Sequence, residues 1–156
     1  MEIKPIGVIH TPFEQPSGTP IQPAFAKGAE GLVELYPEYA PGLKDLDGFD
    51  RIWLIYFCDR CADYRLIVKP YMDTKERGLF ATRAPARPNP IGMSSVKLER
   101  IEANKLFVAD VDMLDGTPLL DIKPYCAKFD CFEVDRTGWL ANTPQDGRKA
   151  DDRFHK

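Results

Sequence analysis

Short apolar stretches separated by Gly, Pro, Asp and Asn run along most of the chain. IKPIGVIH (3–10), GLVELY (31–36), RIWLIYF (51–57), RLIVKPY (65–71), SSVKLERI (94–101), KLFVADVDML (105–114) and PLLDIKPY (118–125) are rich in Val, Ile, Tyr and Phe. That pattern predicts strands rather than helices. In KLFVADVDML, period-two alternation places Phe107, Ala109, Val111 and Met113 on one face and Asp110 and Asp112 on the other, a half-buried strand. RIWLIYF is apolar at nearly every position, which predicts a central strand covered on both faces. EANK (102–105) reads as a tight turn with Asn104 in the left-handed position, and Asp115–Gly116 as a second turn. One helical turn is expected within PGLKDLDG (41–48). Many strands at short spacing predict an all-β, antiparallel, barrel-like single domain over residues 1–132. Residues 133–156 are expected to form a polar C-terminal extension, with TPQDGRKADDRFHK (143–156) a loose tail.

Composition narrows the class. The chain has 156 residues, 44% hydrophobic and 29% charged, enough for one core. No apolar run is long enough to cross a bilayer, and MEIKPIGVIH does not read as a signal peptide, so a cytoplasmic protein is expected. A net charge of −3 excludes a global basic field for nucleic acid but not a local basic groove. The four cysteines, Cys58 and Cys61 in CDRC and then Cys126 and Cys131, fit neither a disulfide scaffold nor a zinc ribbon. Reduced, partly buried thiols are the expectation, with no metal.

The common phosphate, dinucleotide, metalloprotease and nucleophile-elbow motifs are absent, and DVDMLDG lacks the spacing and closing glutamate of a calcium loop. Four clusters remain. ATRAPARPNPIGMS (81–94) interleaves Arg83 and Arg87 with Pro85, Pro88 and Pro90. Proline fixes φ and removes a donor, so the loop is stiff and outside any central ladder, and its arginines are preorganised for carboxylate or phosphate. Asn89 and Ser94 are read as anchors of that loop. LDGTPLLDIKPY presents Asp115, Gly116, Thr117 and Pro118 in a tight turn, then Asp121, Lys123 and Tyr125 on one strand face, with Leu120 and Ile122 on the other. From these residues alone a plain hairpin turn with a solvated ion pair is the favoured reading, because turns and surface pairs are common. TPIQP (19–23) is a third stiff segment, tipped by Gln22, and Asp59 and Arg60 follow the end of RIWLIYF. His10 ends the first strand and reads as a hydrogen-bonded boundary histidine rather than a base.

FATRAPARPNPIGMS followed by DGTPLLDIKPY, together with IGVIHTPF and LDGFDRIWLIYF, resembles the TsaA-like (YaeB-like) family over about residues 3–125. The resemblance implies a β-barrel methyltransferase that uses S-adenosylmethionine, works as a homodimer with cofactor near the interface, and methylates N6 of threonylcarbamoyladenosine beside the anticodon of tRNA. It further implies cofactor contacts at Pro20, Ile21 and Gln22, at Asp59 and Arg60, at Arg87, at the backbone of Leu98, and along the turn Asp115, Gly116, Thr117 and Pro118. The better-known members carry His and Gln where this chain has Asp59 and Arg60, and longer members have a C-terminal tRNA-holding domain that this chain is expected to lack. For the transfer itself, Arg87 suits a carboxylate, Asp115 suits hydroxyls or an ammonium, and Tyr125 offers an aromatic face to a sulfonium. Asp121 is the candidate base, with Lys123 and Tyr125 orienting it. Two alternatives stand beside this reading: a methyltransferase for a small molecule or another modified base, and a non-catalytic S-adenosylmethionine-binding module.

Overall fold

The computed structural model describes residues 2–144 and 149–156. In chain order the strands are β1 (Gly7–His10), β2 (Glu30–Leu35), β3 (Arg51–Phe57), β4 (Ile67–Val68), β5 (Arg77–Gly78), β6 (Ile91–Glu102), β7 (Lys105–Ala109) and β8 (Thr117–Pro124). Six of them close a barrel in the order β1-β2-β7-β6-β3-β8, with all pairs antiparallel. The ring shuts where β1 pairs with β8, Gly7 opposite Leu119 and Ile9 opposite Thr117. The expected all-β barrel is therefore the fold, with one short helix α1 (Ala127–Asp130) among the described residues and several 3-10 turns, two of them at Pro37–Leu43 and Leu46–Gly48.

The interior is filled by alternate residues of the six barrel strands: Ile9, Val33, Ile52, Leu54, Val96, Leu106, Val108 and Leu119 are all buried. RIWLIYF is not covered on both faces. Ile52, Leu54 and Tyr56 point inward, whereas Trp53, Ile55 and Phe57 lie on the outer wall, because a small barrel buries only one face of each strand. RLIVKPY shrinks to the two residues of β4, which pairs with β5 outside the barrel.

Three local expectations are corrected. The left-handed residue of the β6–β7 turn is Ala103 (φ 54), not Asn104, whose side-chain amide instead donates to the Leu35 carbonyl at 2.6 Å. Phe107 faces outward under the Arg100 guanidinium, 3.5 Å from the ring centre, so it does not share a face with Val111 and Met113. The alternation breaks at Asp110, which is left-handed at φ 69. Its carboxylate accepts from the Gly28 amide at 2.9 Å and from Arg51 at 2.9 Å, and these bonds hold the chain in a conformation a non-glycine residue otherwise avoids. After that break Val111 and Met113 pack in the core, while the half-buried Asp112 between them meets the inward-facing Ser94 and lines a cavity. In β8, Leu120 occupies a bulge between the partners of Ile55 and Tyr56, so Leu119 and Ile122, rather than Leu120 and Ile122, pack inside.

Residues 149–156, expected to trail loosely, fold back instead; 145–148 of that stretch lie outside the described residues. Lys149 bridges to Pro20, and His155 to Cys61. Phe154 is buried in a second apolar cluster with Cys61, Val68, Leu79, Ala84 and Ala86, edge-on to Tyr71 at 5.1 Å. Arg153 ties the segment down through Asp151 and the Pro70 carbonyl. One aromatic buried against a waiting apolar cluster is enough to outweigh the polar composition that suggested disorder.

Candidate functional site

Beside one end of the barrel lies a cavity of about 1110 Å³. That is the size of a site for a nucleoside-scale ligand. Its base is barrel: Tyr56 from β3, Gly92 from β6, and Asp112 beyond β7. Pro20, Ile21 and Gln22 form one side and the segment from Phe80 to Arg87 another, with Trp139 and Phe154 closing over them. A smaller cavity of about 70 Å³, lined by Asp59, Arg60, Pro85 and Thr117, adjoins it across Tyr56, Cys58 and His155. The proline-rich corner and the DGTP turn thus meet, at Pro85 and Thr117.

Hydrogen bonds explain why these loops hold their positions. Arg83 donates to the Gln22 side-chain oxygen at 2.6 Å and so ties the two stiff segments together. Arg87 turns one guanidinium nitrogen to the carbonyls of Thr82 and Ala84, at 3.1 and 3.2 Å, and more distantly to Leu79. Trp139 donates to the Ala81 carbonyl at 2.7 Å on the other side of the same loop. Arg60 donates to the Asp115 carbonyl at 2.6 Å and so anchors the DGTP turn. In that turn Gly116 sits at φ 76, and the Thr117 hydroxyl donates to Leu114. His10 lies between Glu34 and Asp115, at 3.7 and 3.6 Å.

Other residues singled out in the sequence lie elsewhere. Leu98 is a core residue of β6 whose amide already donates to the Asp50 carbonyl. Asp121, Lys123 and Tyr125 share a face, but it is the outer wall of the barrel, and none of the three lines either cavity. Asp121 ion-pairs with Lys123 at 2.9 Å, and Tyr125 packs against Trp53 at 5.8 Å between ring centres.

The sequence reading missed a buried polar chain at the base of the large cavity. The Ser94 hydroxyl donates to the Asp112 carboxylate at 2.6 Å, and the Tyr56 hydroxyl lies 3.0 Å from Ser94. Serine has a single proton, already given to Asp112, so Tyr56 is the donor in that second bond. Ser94 is 1% exposed. A serine in the inward-facing series Ser94, Val96, Leu98 was the available signal; Asp112 gave none, because its spacing from Val111 and Met113 does not tell that Ser94 meets it at the cavity base. Burial pushes the Asp112 carboxyl up to about 7, against the opposing pull of the Ser94 hydrogen bond and of Arg83. Burial, then the Asp112 charge, likewise pushes the Tyr56 phenol up. Its hydrogen bond with Cys61, and then burial, push the Cys58 thiol up as well, so Cys58 stays protonated.

A raised carboxyl costs stability once it must ionise in the folded state. The folded protein binds this proton up to about pH 7 while the unfolded chain releases it near 3.8, so the stability of the protonated form is lost as pH rises between those values. Asp112→Asn removes that loss. Its melting temperature relative to wild type should climb from pH 4 to pH 8, ending on the order of 2–4 kcal/mol more stable by calorimetry. A difference that stays flat with pH would show that Asp112 ionises normally.

Comparison with known proteins places the chain. The tRNA-methyltransferase O N-terminal domain matches residues 8–131. A probable S-adenosyl-L-methionine-binding protein of Pyrococcus abyssi is 52% identical over 149 residues, 96% of this chain and 81% of that one. The mouse tRNA (adenine(37)-N6)-methyltransferase is 35% identical over 136 residues, 81% of this chain and 31% of its own. The crystal structure of TrmO from Pseudomonas aeruginosa superposes with a TM-score of 0.73 at 36% identity, covering 89% of this chain. This chain spans 62% of that solved chain. A match across most of the barrel, with both stiff corners inside it, means that this chain belongs to the tRNA-methyltransferase O N-terminal domain family.

Proposed function

We propose that this protein is an S-adenosylmethionine-dependent methyltransferase that modifies N6 of threonylcarbamoyladenosine at position 37 of tRNA, working as a cytoplasmic homodimer. The observation that carries the reading is the meeting of the Pro20–Gln22 loop, the arginine-bearing proline loop and the DGTP turn around the paired cavities. The residues present fit the cofactor. Two residues that line the smaller cavity carry a buried nitrogen with no hydrogen bond among the described residues, Arg60 Nε, which has only Asp59 at 3.7 Å, and His155 Nδ1; a ligand carboxylate or hydroxyl would complete them. Around the larger cavity Phe25, Tyr71 and Trp139 offer flat apolar surface for a purine.

When bound, S-adenosylmethionine supplies a methyl group on a positively charged sulfur. The protein's own contribution is alignment and a dry, shaped field. Pro20, Ile21 and Gln22 hold one side, with Gln22 fixed by Arg83; Arg87 sets the opposite side through the carbonyls it gathers. Asp59, Arg60 and Thr117 form the polar end, with Asp115, Gly116 and Pro118 shaping the turn that carries Thr117. Leu98 keeps the barrel wall in place. On the outer wall Phe57, Ile91 and Met93 are 39%, 41% and 59% exposed, and Ile91 and Met93 reach the cavity rim, where a second subunit would cover them. Asp121, Lys123 and Tyr125 belong to that outer wall, so any part they take is across a subunit contact. Among the described residues no helix is long and apolar enough to cross a membrane.

One other reading has an observation behind it: the Pyrococcus relative bears the name of a binding protein alone. Incubation with isotope-labelled S-adenosylmethionine and total tRNA, followed by nucleoside mass spectrometry, separates the two. Label in threonylcarbamoyladenosine is the expected result. Saturable cofactor binding with no label in any RNA would overturn the enzyme reading in favour of the binding module, and label in a small metabolite would move the acceptor.

A further inference from the structure

We infer that Asp112 is the proton acceptor of the transfer, held ready by the Tyr56–Ser94 hydroxyl chain at the base of the cavity. This rests on the methyltransferase reading above and names its base, a role that Asp121 on the outer wall does not fill within one subunit. The placement is the primary observation. Asp112 is the carboxylate that lines the large cavity among the described residues, Asp59 lining the smaller one, and it lies with Tyr56 and Gly92 where the barrel closes the base. Two successive hydroxyls point toward it, Tyr56 to Ser94 and Ser94 to Asp112 Oδ1 at 2.6 Å. A surface carboxylate would be oriented by water; here buried side chains orient it, and preorganisation of that kind is what a base requires.

The step balances without a further reagent. The acceptor nitrogen forms a bond to the methyl carbon as the carbon–sulfur bond of the donor breaks, its electron pair staying on sulfur, which becomes neutral. The N–H proton passes to Asp112 Oδ2, the oxygen that does not receive the Ser94 bond, and later leaves to solvent. Around the carboxyl stand Tyr56 and the Cys58 thiol from the end of β3, Ser94 from β6, and the positive charge of Arg83 from the proline loop. Burial places its proton affinity near neutrality, where both acceptance and release are feasible.

The test has two arms. Carbon-13 carboxyl NMR of aspartate-labelled protein, without cofactor or RNA, should show a resonance titrating near pH 7 that disappears in Asp112→Asn and moves to higher pH in Ser94→Ala, which loses the donor that favours the anion. Single-turnover transfer to tRNA should rise through the same pH in wild type. In Asp112→Asn it should fall by about a hundredfold or more and lose that pH limb, with cofactor affinity retained. In Ser94→Ala the limb should shift upward with the resonance, a change that loss of packing alone does not produce. Wild-type transfer matched by Asp112→Asn at every pH overturns the base role and leaves the methyltransferase reading intact. A wild type that methylates no RNA overturns both. Absence of the titrating resonance overturns the base role whatever the activity.

Discussion

Gly92→Ala is expected to melt roughly 10 °C below wild type, a loss of about 3 kcal/mol. Gly92 stands opposite Tyr56 on the β3–β6 ladder, and both face the cavity base. A Cβ at position 92 would lie 2.2 Å from Cε2 and 2.5 Å from Cζ of the Tyr56 ring. Such a contact forces a shift, and the ring has nowhere inexpensive to go. It is buried among the barrel residues, and its hydroxyl is bonded to Ser94. Swinging the ring aside breaks the Tyr56–Ser94 bond, so the Asp112 resonance should move as well as the melting curve. Scanning calorimetry beside the carboxyl titration reads both. An alanine variant that melts with wild type and keeps the titration would mean that the ring tolerates displacement and that the hydroxyl chain is not tightly held.

The second large effect is expected at Arg87, and lysine is the informative substitution. Were Arg87 simply a positive charge facing a ligand carboxylate, lysine would retain most of its use. In the structure its Nη1 serves the carbonyls of Thr82 and Ala84, and the guanidinium stands 5.7 Å from the centre of the Phe80 ring. A planar guanidinium lying beside that ring is held over the carbonyls, whereas an ammonium on a flexible stem loses the aromatic contact geometry and with it the fixed position. Arg87→Lys should therefore weaken S-adenosylmethionine binding by about tenfold to a hundredfold in calorimetry, with faster amide exchange over residues 79–84. Unchanged exchange with weakened binding would return Arg87 to direct charge contact. Unchanged binding would remove it from the site.

The strands and the stiff corners were legible because each has a local cause. Alternation marks a wall that is buried on one side, and proline or Asp-Gly marks a turn whatever surrounds it. Arg83 and Arg87 stand out in the chain because prolines stiffen the loop that carries them, whereas Gln22 alone reads only as the tip of a loop and gains a cofactor role through the family resemblance. What escaped depends on distant partners. Asp112 escapes because its place between the buried Val111 and Met113 says only that it faces away from them; no local rule anticipates that Ser94 meets it there or that the proline loop and Gln22 segment enclose that side. Asp121, Lys123 and Tyr125 were correctly grouped on one face, yet whether that face is the inside or outside of a barrel follows from curvature and not from spacing. The C-terminal residues were judged on their charge, whereas one aromatic, Phe154, decides where they rest.

The pairing of β1 with β8 also dictates how the molecule must be assembled. The first strand cannot be flanked on both sides until the last one has been delivered, so the hoop is completed by segments far apart in the chain. Loop-closure entropy must be met before that stitch is rewarded, which points to folding over milliseconds to seconds rather than microseconds. Once the hoop is shut, its ladder offers no unpaired border on which another chain could grow.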